Sequence, residues 1–293
     1  MKCLILGNGL IGSAIAEAMR ERHHSVLVFD RDPSKTEVHA EELKFAFECA
    51  EYVISVVPTP VDLENGGFYL HHLEDTISLF KQYATPYATF IQRSTTMPGD
   101  AERLAIKYDI LDRYVMSPSF AYRKSAPLNE THPDKVVFGG ASFSVLKRVY
   151  FDLYAPVSFS RVFFGSLAEA ELSKLASNLW QGLILSAHNE INQAYKDCDS
   201  DFVMETLIQE HNLHSIKRFH GKAFGRGGRL NDDMQAFASL QRGKPLHSVF
   251  IAAIELNDQL RELVGEENRP TAELEKEAFT GSVSAALRSQ ICQ

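Results

Sequence analysis

Cysteine is scarce. Cys3, Cys49, Cys198 and Cys292 are the only four in 293 residues, and they lack the spacing of a disulfide framework or a metal cluster. Reduced thiols in a cytoplasmic protein are therefore expected. Long apolar runs are missing as well: no stretch approaches the roughly 20 residues needed to cross a bilayer. Basic residues are not in excess, and a net charge of -8 argues against a nucleic-acid binder, which needs a basic face. No charged leader or cleavage site precedes the first strand-like run, so a signal peptide is not expected. Low-complexity tracts and internal repeats are absent too. His220 and the pair His23-His24 have no ligand-type spacing, and no metal is assigned. What remains, 45% hydrophobic and 23% charged, is an ordinary globular composition long enough for two domains.

The most informative segment is the first thirty residues. An apolar run, Lys2 to Leu6, leads into Gly7-Asn8-Gly9-Leu10-Ile11-Gly12, and a second apolar run ends in Asp30. Strand, glycine turn, helix, strand and acid follow in the order that a dinucleotide-binding unit requires. Gly7 allows the tight turn, Gly9 admits a pyrophosphate to the backbone, and Gly12 lets the helix pack close to the strand. The helix N-terminus offers unpaired N–H groups and partial positive charge to the phosphates. Asp30 is placed to accept hydrogen bonds from ribose hydroxyls and to repel a 2′-phosphate, which selects NAD. Arg31 keeps NADP open, because arginine in this region can pair with a 2′-phosphate.

Downstream, Val26–Phe29, Tyr52–Val57, Thr89–Gln92, Tyr114–Met116 and Lys135–Phe138 read as strands. Residues 11–22 and 71–83 carry helical spacing. The alternation predicts an α/β fold, a Rossmann-type doubly wound parallel sheet. After about residue 165 strand signals vanish. Leu167 to Lys196 reads as one long helix, with further helices over 200–210 and 245–264. The expected domains are 1–165, binding NAD, and a mainly helical 166–293 for substrate and dimerisation. Pro58-Thr59-Pro60 and Ser94-Thr95-Thr96 each follow a strand, so both should border the cofactor cleft at the strands' carboxyl ends.

On the long helix, Lys174 and Asn178 are four apart and share a face. Oxidation of an alcohol with NAD needs a proton acceptor on the hydroxyl. A lysine with a pKa lowered by burial, beside an amide, suits that role. The alternative, a solvated lysine with an ordinary surface asparagine, stands at this point. The loop Gly221 to Arg229 carries Lys222, Arg226 and Arg229 among glycines, either an anion cradle or a solvated basic turn.

In this order the motifs resemble the UDP-glucose/GDP-mannose dehydrogenase family, within the 6-phosphogluconate and 3-hydroxyacid dehydrogenase superfamily. The resemblance rests on Phe29 to Lys35, Val56 to Pro60, Arg93 to Gly99, Ser117 to Phe120, Val136 to Gly140, Ala170 to Asn178, His188 to Ile191 and Ile254 to Gln259. It implies that Leu10, Ile11, Arg31, Lys35, Val57, Pro58, Thr59 and Ser94 join Gly7, Gly9, Gly12 and Asp30 around NAD. It also implies that Lys174 is the general acid/base, with Asn178 and Thr95 at the reacting centre. Ser119, Arg226, Gly227, Arg229 and Asp233 would lie near an anionic substrate, and the helical domain would form a homodimer.

Two departures limit the implied chemistry. Family members that oxidise an alcohol to an acid use a cysteine thiolate in a Gly-Gly-Ser-Cys-Phe-Pro-Lys-Asp loop, and Leu230 stands in its place. Asp233 matches the aspartate of that loop only with one deletion. Ser119 replaces a glutamate that assists hydrolysis of the thioester. The resemblance extends to no C-terminal nucleotide-sugar-binding domain, so that domain is not expected here. These losses point to a two-electron alcohol/carbonyl interconversion on a sugar, sugar phosphate, nucleotide-linked sugar or hydroxy acid. A catalytically inactive NAD-binding or regulatory paralogue is the alternative.

Overall fold

The computed structural model describes residues 1–62, 64–121, 125–154, 161–194, 199, 202–203, 205–206, 229–239 and 249–264. Along the chain run β1 (Lys2–Leu6), α1 (Leu10–Glu21), β2 (Ser25–Phe29), α2 (Leu43–Cys49), β3 (Tyr52–Ser55), α3 (His71–Tyr83) and β4 (Thr89–Gln92). There follow α4 (Asp100–Lys107), β5 (Tyr114–Met116), α5 (Ala126–Thr131), β6 (Lys135–Gly140), α6 (Phe143–Leu153) and β7 (Arg161–Gly165). Next come α7 (Leu167–Ala194), α8 (Arg229–Ser239) and α9 (Val249–Val264).

The strands form one sheet in the order β2-β1-β3-β4-β5-β6-β7. β3, β4 and β5 are buried at every position, as strands covered on both faces must be. Alternate side chains feed two cores. On one face Leu4, Leu6, Val53 and Phe90 pack with α2, α3 and α4. On the other, Ile5, Ile54, Ile91 and Phe138 pack with α1 and α6. This is the expected Rossmann-type layering, with one correction to an all-parallel sheet. β6 runs antiparallel to β5, pairing Val115 with Gly140. Among the described residues the connection between them holds the short α5, and the chain re-enters the sheet from the end at which it left. β7 then lies parallel to β6, with Lys135 opposite Arg161.

Two compact units emerge. The first comprises, among the described residues, Met1–Thr59 and Tyr69–Lys174, and contains the whole sheet. The second comprises Pro60–Phe68 and the described residues from Leu175 onward, with the division falling inside α7. Within the second unit α7 and α8 approach closely at Gly182, where an added Cβ would lie 2.2 Å from the Met234 sulfur. Phe237 meets Phe250 of α9 edge to face. Among the described residues no helix is long and apolar enough to cross a membrane.

Candidate functional site

The three motif glycines have different surroundings. Gly7 adopts φ +102°, and a Cβ there would lie 2.8 Å from the Val56 carbonyl oxygen. A Cβ on Gly12 would lie 1.9 Å from the Gly7 carbonyl oxygen. Both positions are closed by backbone, so only glycine fits. At Gly9 the space is open, with nothing within 4 Å of a Cβ. Gly9 precedes α1, which no side chain caps. A helix N-terminus without a capping side chain beside open space is physically suited to an anion.

Asp30 is built into this turn. Its Oδ2 accepts from the Asn8 N–H at 2.6 Å and its Oδ1 from the Asp32 N–H at 2.9 Å. Asn8 also donates through Nδ2 to the Lys35 carbonyl at 2.5 Å. These bonds hold the carboxylate against the glycine loop, and each oxygen keeps a lone pair for a ribose hydroxyl. Arg31 is exposed. Lys35 pairs with Asp32 at 3.0 Å, an exposed contact of little energetic weight. The donors and the open glycine fit a dinucleotide.

The loops after β3 and β4 are laced together. The Ser94 hydroxyl donates to the Val57 carbonyl at 2.5 Å and the Thr59 hydroxyl to the Thr95 carbonyl at 2.7 Å. Val57, Thr59, Ser94 and Thr95 therefore share one border of the sheet's carboxyl end, with Pro58 exposed beside them. Behind them, Gln92 donates through Nε2 to the Thr96 hydroxyl at 2.8 Å, and Thr96 donates to Glu171 at 2.6 Å. Glu171 is fully buried and also accepts from the Gly99 and Ala101 N–H groups, at 2.7 and 2.8 Å. It thereby caps the N-terminus of α4. Burial raises its carboxyl to about 7, against the donors, which favour the charged form.

Ser119 is partly buried and donates to the Glu130 carboxylate at 2.5 Å. The other Glu130 oxygen pairs with Arg93 at 2.6 Å, both side chains being almost wholly buried. Arg93 reaches the Ser117 and Tyr154 hydroxyls as well, at 3.2 and 3.1 Å. Sequence reading missed this network, because its members come from four separated segments. Lys174 is half-buried, with Nζ 5.4 Å from the centre of the Phe120 ring, and the same ring has Lys135 Nζ at 4.1 Å. Phe120 stood inside a quoted motif and Lys135 at the start of a strand-like run, each without a role.

In the second unit Asn178, buried on α7, donates through Nδ2 to Asp233 at 2.6 Å. Two residues singled out from sequence are thus brought together from 55 positions apart. The segment carrying Leu230 and Asp233 is helix α8 rather than a loop. Arg226 and Gly227 lie outside the described residues, and so does the side chain of Arg229, which opens α8.

No protein-family model matches the chain, and no curated protein does. Solved structures do. A UDP-glucose dehydrogenase from Pyrobaculum islandicum aligns with a TM-score of 0.74 at 21% identity, covering 90% of this chain and 72% of that one. UDP-D-ManNAc dehydrogenase from Pyrococcus horikoshii gives 0.71 at 19%, covering 90% and 70%. Mycobacterium tuberculosis 3-hydroxyisobutyrate dehydrogenase gives 0.66 at 14%, covering 89% and 93%. At these identities the likeness establishes the fold: a Rossmann-type α/β unit with helices following it, as found in these dehydrogenases.

Proposed function

We propose that the protein is an NAD-dependent dehydrogenase of the nucleotide-sugar dehydrogenase type, interconverting an alcohol and a carbonyl in a single two-electron step. The observation that carries this reading is the contrast among the glycines. Gly7 and Gly12 are closed by backbone, Gly9 is open beside an uncapped helix N-terminus, and Asp30 is fastened to the same loop. Gly7, Gly9, Leu10, Ile11, Gly12, Asp30 and Ser94 would hold NAD, which supplies the two-electron acceptor when bound. Lys174, half-buried, takes the proton from the substrate hydroxyl. Asp233 fixes the Asn178 amide, and the family resemblance assigns Asn178 and Thr95 to the orientation of the alcohol. Ser119 is engaged by Glu130, and Leu230 has no nucleophilic atom, so the reaction ends at the carbonyl. A sugar, sugar phosphate, nucleotide-linked sugar or hydroxy acid suits these groups, and we propose a cytoplasmic homodimer.

The test is a calorimetric NAD titration followed by an alcohol screen, with Lys174→Ala as control. Saturable NAD binding and Lys174-dependent turnover are expected. NAD binding without turnover of any sugar or hydroxy acid favours the inactive paralogue.

A further inference from the structure

A cleft of about 380 Å³ opens beside β6, β7 and the start of α7, within the first unit. Lys135 and Arg161 line it from directly opposite positions on parallel strands, whose neighbours lie only about 4.8 Å apart. Like charges in that arrangement oppose one another. Neither cation forms an ion pair with a described residue. The carboxylate lining the same cleft, Glu169, accepts from the Ser166 N–H and hydroxyl at 2.7 and 2.8 Å, which holds it in the turn before α7. Burial, and then the charge of Arg161, keep the Lys135 ammonium below the usual lysine value. The remaining walls include Phe120 and Phe163, the latter half exposed.

We infer that this cleft is an oxyanion site, in which Lys135 and Arg161 together hold the carboxylate or phosphate of a small organic molecule. One oxyanion relieves the opposition of two adjacent cations and accepts charge-assisted hydrogen bonds from both. Phe120 and Phe163 offer apolar faces to the rest of the ligand. The volume lies within the range of small-molecule pockets. Phe120 also touches Lys174, so the natural occupant is the acidic group of the substrate. That last assignment alone rests on the dehydrogenase reading.

The experiment is calorimetry and thermal melting of the intact protein with inorganic phosphate and with malonate, against sodium chloride of equal ionic strength. Saturable binding beyond the chloride control is expected. Lys135→Met and Arg161→Met should each weaken it roughly tenfold, while Arg161→Lys keeps most of it. Arg161 is exposed, so its variants preserve the fold even if Lys135→Met does not. A preference for phosphate over malonate assigns a phosphorylated ligand, and the reverse assigns a carboxylic acid. No saturable binding, or undiminished binding in both Arg161→Met and a variant carrying Lys135→Met and Arg161→Met together, overturns the site. Anion binding without turnover of any alcohol removes the dehydrogenase reading and leaves the site intact. Lys174-dependent turnover without anion binding does the opposite.

Discussion

Ser119 donates its hydroxyl to Glu130 at 2.5 Å, and Glu130 in turn neutralises the buried Arg93 at 2.6 Å. A position that the family resemblance associates with substrate chemistry is thus joined to a buried ion pair. Glu130→Gln should destabilise the protein by roughly 3–5 kcal/mol, because it leaves the Arg93 charge buried without compensation. Ser119→Ala should cost only about 1 kcal/mol. Urea denaturation measures both, and similar losses for the two variants would contradict the assignment.

The glycine turn separates folding from binding. Gly9→Ala places a methyl group in open space, so stability should change by less than about 1 kcal/mol. Dinucleotide affinity should nevertheless fall at least roughly tenfold, as the methyl blocks approach to the backbone. Gly12→Ala meets the Gly7 carbonyl at 1.9 Å and should lower the melting temperature sharply or prevent folding. Equal melting temperatures for the two variants would refute the division of roles.

Lys174 and Asn178 should respond differently to substitution. Lys174→Met should leave stability within about 1 kcal/mol of wild type while reducing turnover by roughly 10²–10⁴-fold. Asn178→Leu removes a donor from the fully buried Asp233, and should cost about 1–3 kcal/mol as well as activity. Melting curves beside steady-state rates distinguish the two. A stable Asn178→Leu protein would show that the bond to Asp233 carries no weight.

Glu171 imposes a pH dependence on folding. Its carboxyl rises from an ordinary value of 4.5 to about 7 on folding, chiefly through burial. The native state therefore binds more protons between those values. Stability from this group is fully present below about pH 4.5 and lost as pH rises through about 7, by an amount of order 3 kcal/mol. Denaturation midpoints from pH 5 to 8 should fall more steeply in wild type than in Glu171→Gln. Parallel pH profiles would exclude the contribution.

Sequence patterns exposed most of the Rossmann unit because its signals are local. Thr89–Gln92 and Tyr114–Met116 are strands with the predicted bounds, and α3 spans the predicted 71–83. Each combines strand or helix formers with a turn residue at its end. β7 escaped notice, since Arg161 to Gly165 is a short edge strand with mixed burial and no alternation of polar and apolar residues. α8 escaped as well: the glycine-rich run before it drew the loop reading past Arg229, although Arg229–Ser239 is helical.

The sequence by itself determined the glycine turn after β1, because Gly7, Gly9, Gly12 and Asp30 act through backbone conformation and short spacing. It also determined that neither a thiol nor a carboxylate stands at Leu230 or Ser119. Only the tertiary structure decided which polar groups meet: Asn178 with Asp233, Arg93 with Glu130, Thr96 with Glu171, and Lys135 opposite Arg161. The first three pairings depend on how helices and loops pack, and the last on strand register. Hydrophobic burial drives that packing without regard to polar partners, and the buried donors and acceptors it brings together must then be satisfied in place.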